Sequence, residues 1–220
     1  MGPAALLDAG LGELGLDLPG EPRERLLAYL DLLARWNRAY NLTAVRDPRE
    51  MVPRHLLDSL AVLPYIDPGP LLDVGTGPGL PGLPLALARP GLAVTLLDSN
   101  GKKARFCTQA VAELGLSGVQ VVHARVEAYR PGAPFPQVIT RAFTSLAGFR
   151  RAAAHLVAPG GRLLALKGRY PGAELDELAA AGGGAAAVHP LAVPGLQGER
   201  HLVIIPGDAG GGGPAAPAMA

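Results

Sequence analysis

Leu71-Leu72-Asp73-Val74-Gly75-Thr76-Gly77-Pro78-Gly79-Leu80-Pro81-Gly82 decides how the rest of the chain is read. An apolar run suited to a buried strand passes into a turn with glycine at 75, 77 and 79. Glycine permits backbone angles and close approaches that a Cβ forbids. Pro81 sits where a helix can begin, because proline is well tolerated at the first helical position. Strand, glycine loop and helix together form the entry unit of a doubly wound nucleotide-binding sheet.

Which nucleotide the loop takes is left open by the spacing alone. Gly77, Gly79 and Gly82 fit the dinucleotide pattern G-x-G-x-x-G. Asp73, Gly75, Gly77 and Gly79 fit D-x-G-x-G-x-G, which resembles motif I of S-adenosylmethionine-dependent methyltransferases. A dinucleotide wants a helix N-terminus aimed at its pyrophosphate. A leading carboxylate at Asp73 would repel that pyrophosphate and suits a cationic ligand. The segment 93–97 reads as the next buried strand and ends at Asp98. That acid lies where a carboxylate accepts hydrogen bonds from ribose hydroxyls. It is also a good N-cap for a following helix, and a ribose is common to both cofactors.

Outward from this core, strands and helices alternate. Helical patterns cover 4–14, 22–39 and 48–63; strands are expected near 71–75, 93–97, 119–123, 136–140, 162–166, 187–193 and 200–205. Helices near 81–88, 101–114, 126–129, 145–157 and 173–180 fall between them. Such alternation predicts a parallel sheet. Pro194-Gly195-Leu196-Gln197-Gly198 joins the last two strands and allows an antiparallel hairpin. The division expected is a helical extension over 1–66, a nucleotide-binding domain over 67–206, and a disordered Gly/Ala/Pro tail over 207–220, which has no apolar periodicity.

Composition narrows the class. The 220 residues are 49% hydrophobic, yet no run of 18 apolar residues occurs, so no membrane contact is expected. No basic segment followed by an apolar run marks a signal peptide. The single cysteine, Cys107, fits a reducing cytoplasm and reads as a buried thiol on a helix. Net charge is only +1, divided as 7 basic against 10 acidic residues over 1–70 and 13 against 9 over 71–220. All basic residues but Lys102, Lys103 and Lys167 are arginines, the better phosphate fork. A GC-rich genome explains that bias as well, along with 30 Gly and 22 Pro. A basic RNA-binding patch is therefore allowed by the charge, not required by it.

Three charged groups fall at three successive strand ends: Glu127 beyond the third, Arg141 at the fourth, Lys167 at the fifth. Around them lie Trp36-Asn37-Arg38-Ala39-Tyr40-Asn41-Leu42-Thr43, Arg54-His55-Leu56-Leu57-Asp58-Ser59-Leu60, DVGTGPGLPG (73–82), LLDSNGKK (96–103), ARVE (124–127), TRAF (140–143), ALKG (165–168) and GERHLVII (198–205). In this order and spacing, over residues 20–205, the segments resemble the RsmG (GidB) family of bacterial 16S ribosomal RNA guanine-N(7)-methyltransferases. The resemblance implies a class I S-adenosylmethionine-dependent methyltransferase of Rossmann-like α/β fold. It would have a seven-stranded, mostly parallel sheet, an antiparallel C-terminal hairpin and an N-terminal helical extension.

The cofactor so implied is S-adenosylmethionine, with S-adenosylhomocysteine as product. Cofactor contacts would come from Asp73, Gly75, Thr76, Gly77, Gly79 and Leu80 in the loop, from Asp98 at the ribose, and from Val126, Glu127 and Arg141. Asn41, His55, Asp58, Ser59, Lys167, Arg200 and His201 would surround the methyl-transfer pocket or meet RNA, and Lys102 and Lys103 stand beside them as RNA candidates. No metal is implied. The partner would be 16S ribosomal RNA or the small ribosomal subunit, met by a cytoplasmic monomer. Guanine N7 carries an in-plane lone pair and no proton, so no catalytic base is needed; the N/D-P-P-Y/F signature of amino-group methyltransferases is absent. Two other readings stay open, an NAD-dependent oxidoreductase and a non-catalytic RNA-binding protein on the same fold. One departure from the family pattern is Pro53, directly before Arg54-His55, where a continuous helix would be expected.

Overall fold

A computed structural model describes residues 1–141, 143 and 145–207. The tail expected to be disordered lies, beyond Gly207, outside the described residues. Seven strands form one sheet in the order β3-β2-β1-β4-β5-β7-β6. They are β1 (Leu71–Val74), β2 (Val94–Asp98), β3 (Val119–His123), β4 (Phe135–Arg141), β5 (Val157–Lys167), β6 (Ala187–Pro190) and β7 (His201–Pro206). The first five pair in parallel, whereas β7 runs antiparallel between β5 and β6. The strand order reverses between β1 and β4, and a ligand crevice opens at such a reversal, beyond the carboxyl ends of the strands.

Alternation along the strands splits the core into two layers. Leu71, Leu96, Ile139, Leu164 and Leu202 face one layer; Leu72, Val74, Leu97, Val138, Leu163 and Val203 face the other. Helices α1 (Pro3–Glu13), α2 (Gly20–Tyr40), α5 (Gly82–Ala88) and α6 (Gly101–Glu113) cover the first face. Helices α7 (Leu146–Ala153) and α8 (Gly172–Ala180) cover the second. The helices before β1 thus share one apolar core with the sheet: Leu7, Leu26 and Leu30 belong to the same cluster as Leu71 and Leu96. No helix among the described residues is long and apolar enough to cross a membrane.

Several elements differ from the sequence reading. The helix expected over 145–157 ends at Ala153; a 3-10 turn over Ala154–Leu156 follows, and β5 begins at Val157. A register shift between Phe135 and Gln137 lets this early part of β5 pair before Arg162 takes up the regular ladder. Helix α5 starts at Gly82, with Pro81 preceding it as the cap residue after a cis Leu80–Pro81 bond. Pro53 neither starts a helix nor breaks one. The chain runs α3 (Pro48–Met51), a π-helical stretch Val52–Leu57, and α4 (Asp58–Leu60). The Asp58 N–H reaches back five residues to the Pro53 carbonyl. This wider turn accommodates the residue that lacks a donor, and such π-bulges concentrate at functional sites.

Candidate functional site

The glycine loop leaves β1 at the crevice with almost every polar group engaged. Gly75 and Thr76 N–H both donate to the Leu97 carbonyl, at 2.8 and 3.1 Å. Asp73 is fully buried. Its Oδ2 accepts from the Thr76 hydroxyl at 2.6 Å and from Gly82 N–H at 2.8 Å, so one carboxylate ties the start of the loop to the start of α5. Burial raises its pKa to about 6, against the opposing pull of these two donors. Its Oδ1 is buried without a partner. Asp73 therefore braces the loop from beneath, and its carboxylate is turned into the protein. Thr76 and Leu80 are buried too, so their side chains serve the loop's underside while the backbone forms its upper face.

Gly75, Gly77 and Gly79 all have positive φ, at 67°, 62° and 91°. A Cβ at Gly77 would meet no atom within 4 Å. The backbone there needs glycine for its angle, and the space beside it is open. That is the cradle a bound nucleoside requires, and it fits S-adenosylmethionine. Asp98, at the end of β2, accepts from Gly77 N–H at 2.8 Å through Oδ2 and from Asn100 N–H at 2.7 Å through Oδ1. Each oxygen of a carboxylate keeps a second lone-pair direction, so a ribose hydroxyl remains a compatible further donor. The cap of α6 is Asn100, whose side chain takes Lys102 and Lys103 N–H, and not Asp98. Val126 packs into the core layer that holds Leu97, and Glu127 stands exposed in a 3-10 turn, Val126–Ala128.

A second group of residues gathers beside the loop. Val74 pairs with Thr140, Arg141 with Leu166, and Lys167 with His201. Register alone therefore brings Gly75, Arg141, Lys167 and Arg200 to one end of four neighbouring strands. Arg141, Lys167 and Arg200, with Arg54 and His55 from the π-helical segment and Asp58 directly after it, line a cleft of about 440 Å³, floored by Val45, Leu166 and Gly168. Asp58 is the electrostatic centre. Its carboxylate accepts from Arg200 Nε at 3.1 Å and from Arg141 Nη1 at 3.3 Å. Arg141 Nη1 also donates to the Arg54 carbonyl at 3.0 Å. The π-turn is what aims Asp58 at two arginines from the sheet.

His55 is buried, with Nε2 3.0 Å from the Thr43 hydroxyl and Nδ1 unpartnered. Burial, reinforced by the Arg141 charge, lowers its pKa to about 4, so the ring is neutral at pH 7. Lys167 forms a 2.7 Å ion pair with Glu174 of α8, and the same carboxylate oxygen takes Leu146 N–H. The lysine therefore fastens α8 and α7 to the cleft wall.

Three residues expected at the pocket do other work. Asn41 caps α2 in the left-handed conformation (φ 50°) and accepts from Arg46, exposed and outside the cleft. Ser59 is fully buried and its hydroxyl turns back to the His55 carbonyl at 2.6 Å. His201 stands behind the wall, donating from Nδ1 to the Gly168 carbonyl at 3.0 Å. The sequence reading in turn missed Arg54 and Val45 at the cleft, Thr43 behind His55, and Asn37, which holds Thr43. Asn37 holds the segment after α2 through Thr43 N–H and the Val45 carbonyl. Arg54, Thr43 and Asn37 lie inside the runs 36–43 and 54–60 already singled out, but which of them point inward is decided by packing.

A family model described as rRNA small subunit methyltransferase G (GidB) matches residues 23–203. The chain belongs to the GidB family. It is 56% identical over 204 residues to the ribosomal RNA small subunit methyltransferase G of Stenotrophomonas maltophilia strain K279a, covering 93% of this chain and 95% of that protein. The protein of the same name from Alkalilimnicola ehrlichii is 56% identical over 197 residues, covering 90% and 89%. Solved structures agree on the fold of this GidB chain. A glycopeptide N-methyltransferase, MtfA, complexed with S-adenosyl-L-methionine superimposes with a TM-score of 0.57 at 14% identity, over 69% of this chain and 86% of that one. A precorrin-6y C5,15-methyltransferase from Geobacter metallireducens gives 0.51 at 12% identity, over 76% and 91%. The class I methyltransferase fold read from the sequence is the one observed.

Proposed function

We propose that this chain transfers the methyl group of S-adenosylmethionine to N7 of a guanine in 16S ribosomal RNA. The observation that carries this reading is the register-imposed juxtaposition of the open glycine cradle at β1 with the arginine-lined cleft at the ends of β4, β5 and β7. The names of the relatives support the RNA substrate. In this reading the chain works in the cytoplasm as a monomer, and the helices before β1 form the RNA-side wall.

S-adenosylmethionine supplies, when bound, an electrophilic methyl group on a sulfonium. The protein's own part is alignment and exclusion of water. Gly75 to Gly79 would hold the nucleoside, Asp98 would accept from its ribose, and Val126 and Glu127 would bound the base side of the crevice. Arg141, which the family resemblance also sets against the cofactor, and Arg200, both steadied by Asp58, present donors for the guanine O6 and for phosphate oxygens. They must leave N7 unbonded, because that lone pair is the nucleophile. His55 is neutral and adds no positive charge at the cleft. Aligning two reactants in this way contributes about 7–11 kcal/mol of barrier lowering in favourable cases. The N7 edge lies in the deep major groove of A-form RNA, so the target guanine must be unpaired, distorted or flipped out.

Two measurements test the proposal. Calorimetry should show binding of S-adenosylhomocysteine and none of NAD. Mass spectrometry of 16S ribosomal RNA from a deletion strain should show one 7-methylguanine lost, and restored by the gene. NAD binding without S-adenosylhomocysteine binding, or unchanged RNA, would overturn the assignment.

A further inference from the structure

Helix α2 passes directly behind the glycine loop. Tyr29 on it has 0% exposure, and its hydroxyl donates to the Pro78 carbonyl at 2.8 Å, across 49 positions of sequence. Its ring packs on Phe106 of α6 at 6.3 Å between centroids, and Trp36 meets Phe106 edge-on at 5.7 Å. From α6 itself the Cys107 thiol faces the preceding loop carbonyl, Gly77 O, at 3.4 Å. The Pro78–Gly79 peptide is therefore held at both of its polar ends. Tyr29 takes the carbonyl, and the Thr76 carbonyl takes Gly79 N–H at 3.0 Å. Gly77 N–H is held by Asp98. With both carbonyls drawn toward the helices, the open side of the loop at Gly77 is left for a ligand.

We infer that Tyr29 is a positioning residue for the cofactor loop, so that the N-terminal helices set cofactor affinity and do not serve the RNA side alone. The inference rests on the reading of the 75–79 loop as the cofactor cradle. Its physical basis is the cost of a buried carbonyl without a donor. With the hydroxyl gone, the Pro78–Gly79 peptide keeps only the bond from Gly79 N–H to the Thr76 carbonyl, its orientation is less tightly fixed, and the ligand must select the competent one from a wider set.

The test is Tyr29→Phe in the full chain, an isosteric change that keeps the ring packing. S-adenosylhomocysteine binding should weaken about three- to tenfold, the range of one lost hydrogen bond. KM for S-adenosylmethionine should rise in step, while kcat at saturating cofactor and KM for the small subunit stay within about twofold. Leu33→Val, at another fully buried α2 position, is the comparison for mere loss of stability. It should lower the melting temperature and leave cofactor affinity unchanged. The inference is overturned if Tyr29→Phe binds S-adenosylhomocysteine like the parent, or if Leu33→Val weakens binding equally. Failure of the parent itself to bind S-adenosylhomocysteine would instead refute the functional reading.

Discussion

Asp58→Asn is the change that strikes the cleft at its centre. The asparagine keeps the shape and one acceptor but removes the charge that two guanidiniums share. The Asp58 side chain is 9% exposed, Arg141 24% and Arg200 31%. Breaking a fully buried pair by removing one partner costs about 3–5 kcal/mol. Each charge-assisted hydrogen bond contributes about 1.5–3 kcal/mol. Because both arginines reach solvent, their freed charges are partly rehydrated, which brings the expected loss down to about 2–3 kcal/mol. For a chain of this size that lowers the melting temperature by about 5–10 °C. Methylation of the small subunit should fall sharply, because both donors lose their aim. S-adenosylhomocysteine affinity should stay within a few-fold, because Asp58 bonds to no residue of the glycine loop. Arg200→Ala should show the same separation. The two changes combined should be less than additive in stability, by about 1 kcal/mol. Additive effects, or an Asp58→Asn protein that melts and methylates like the parent, would refute the bridging role.

Two further outcomes follow from the geometry. Gly77→Val must adopt a positive φ with a β-branched side chain, a strain of about 1–3 kcal/mol, and its methyls would enter the open cradle. It should remain folded by circular dichroism yet lose S-adenosylhomocysteine binding in calorimetry; retained affinity would show that the ligand does not approach the loop there. The pH dependence of stability carries a sign set by His55. Its folded pKa of about 4 lies below the unfolded value, so the contribution is complete above pH 6.5 and is lost as pH falls toward 4, about 2 kcal/mol of it by pH 5. Asp73, raised to about 6, acts in the opposite direction and recovers about 1 kcal/mol over the same range. Chemical denaturation at pH 7.5 and 5 should therefore show His55→Gln losing less stability on acidification than the parent. An identical pH profile would contradict the buried neutral ring.

By itself the sequence determined the alternation of strands and helices, because burial on both faces of a parallel sheet demands near-continuous apolar runs such as Leu71-Leu72 and Val94 to Leu97. It determined the glycine loop as well, since glycine takes the positive φ at 75, 77 and 79 without the steric cost a Cβ adds. It brought His55, Asp58, Lys167 and Arg200 forward as one group and Arg141 as a cofactor contact, and one cleft holds all five. Only the tertiary structure decided what each side chain does there. Asn41, Ser59 and His201 lie within the same motif runs, yet they cap a helix, bond back to the backbone, or support the wall from behind. Motif position does not reveal this, because the direction of a side chain depends on helix phase, and the π-turn at Pro53 resets that phase just before Asp58. The ion pair of Lys167 with Glu174 and the hydrogen bond from Tyr29 to Pro78 join residues on separate elements. Such partners are set by how helices pack on the sheet, a long-range property that local periodicity does not encode.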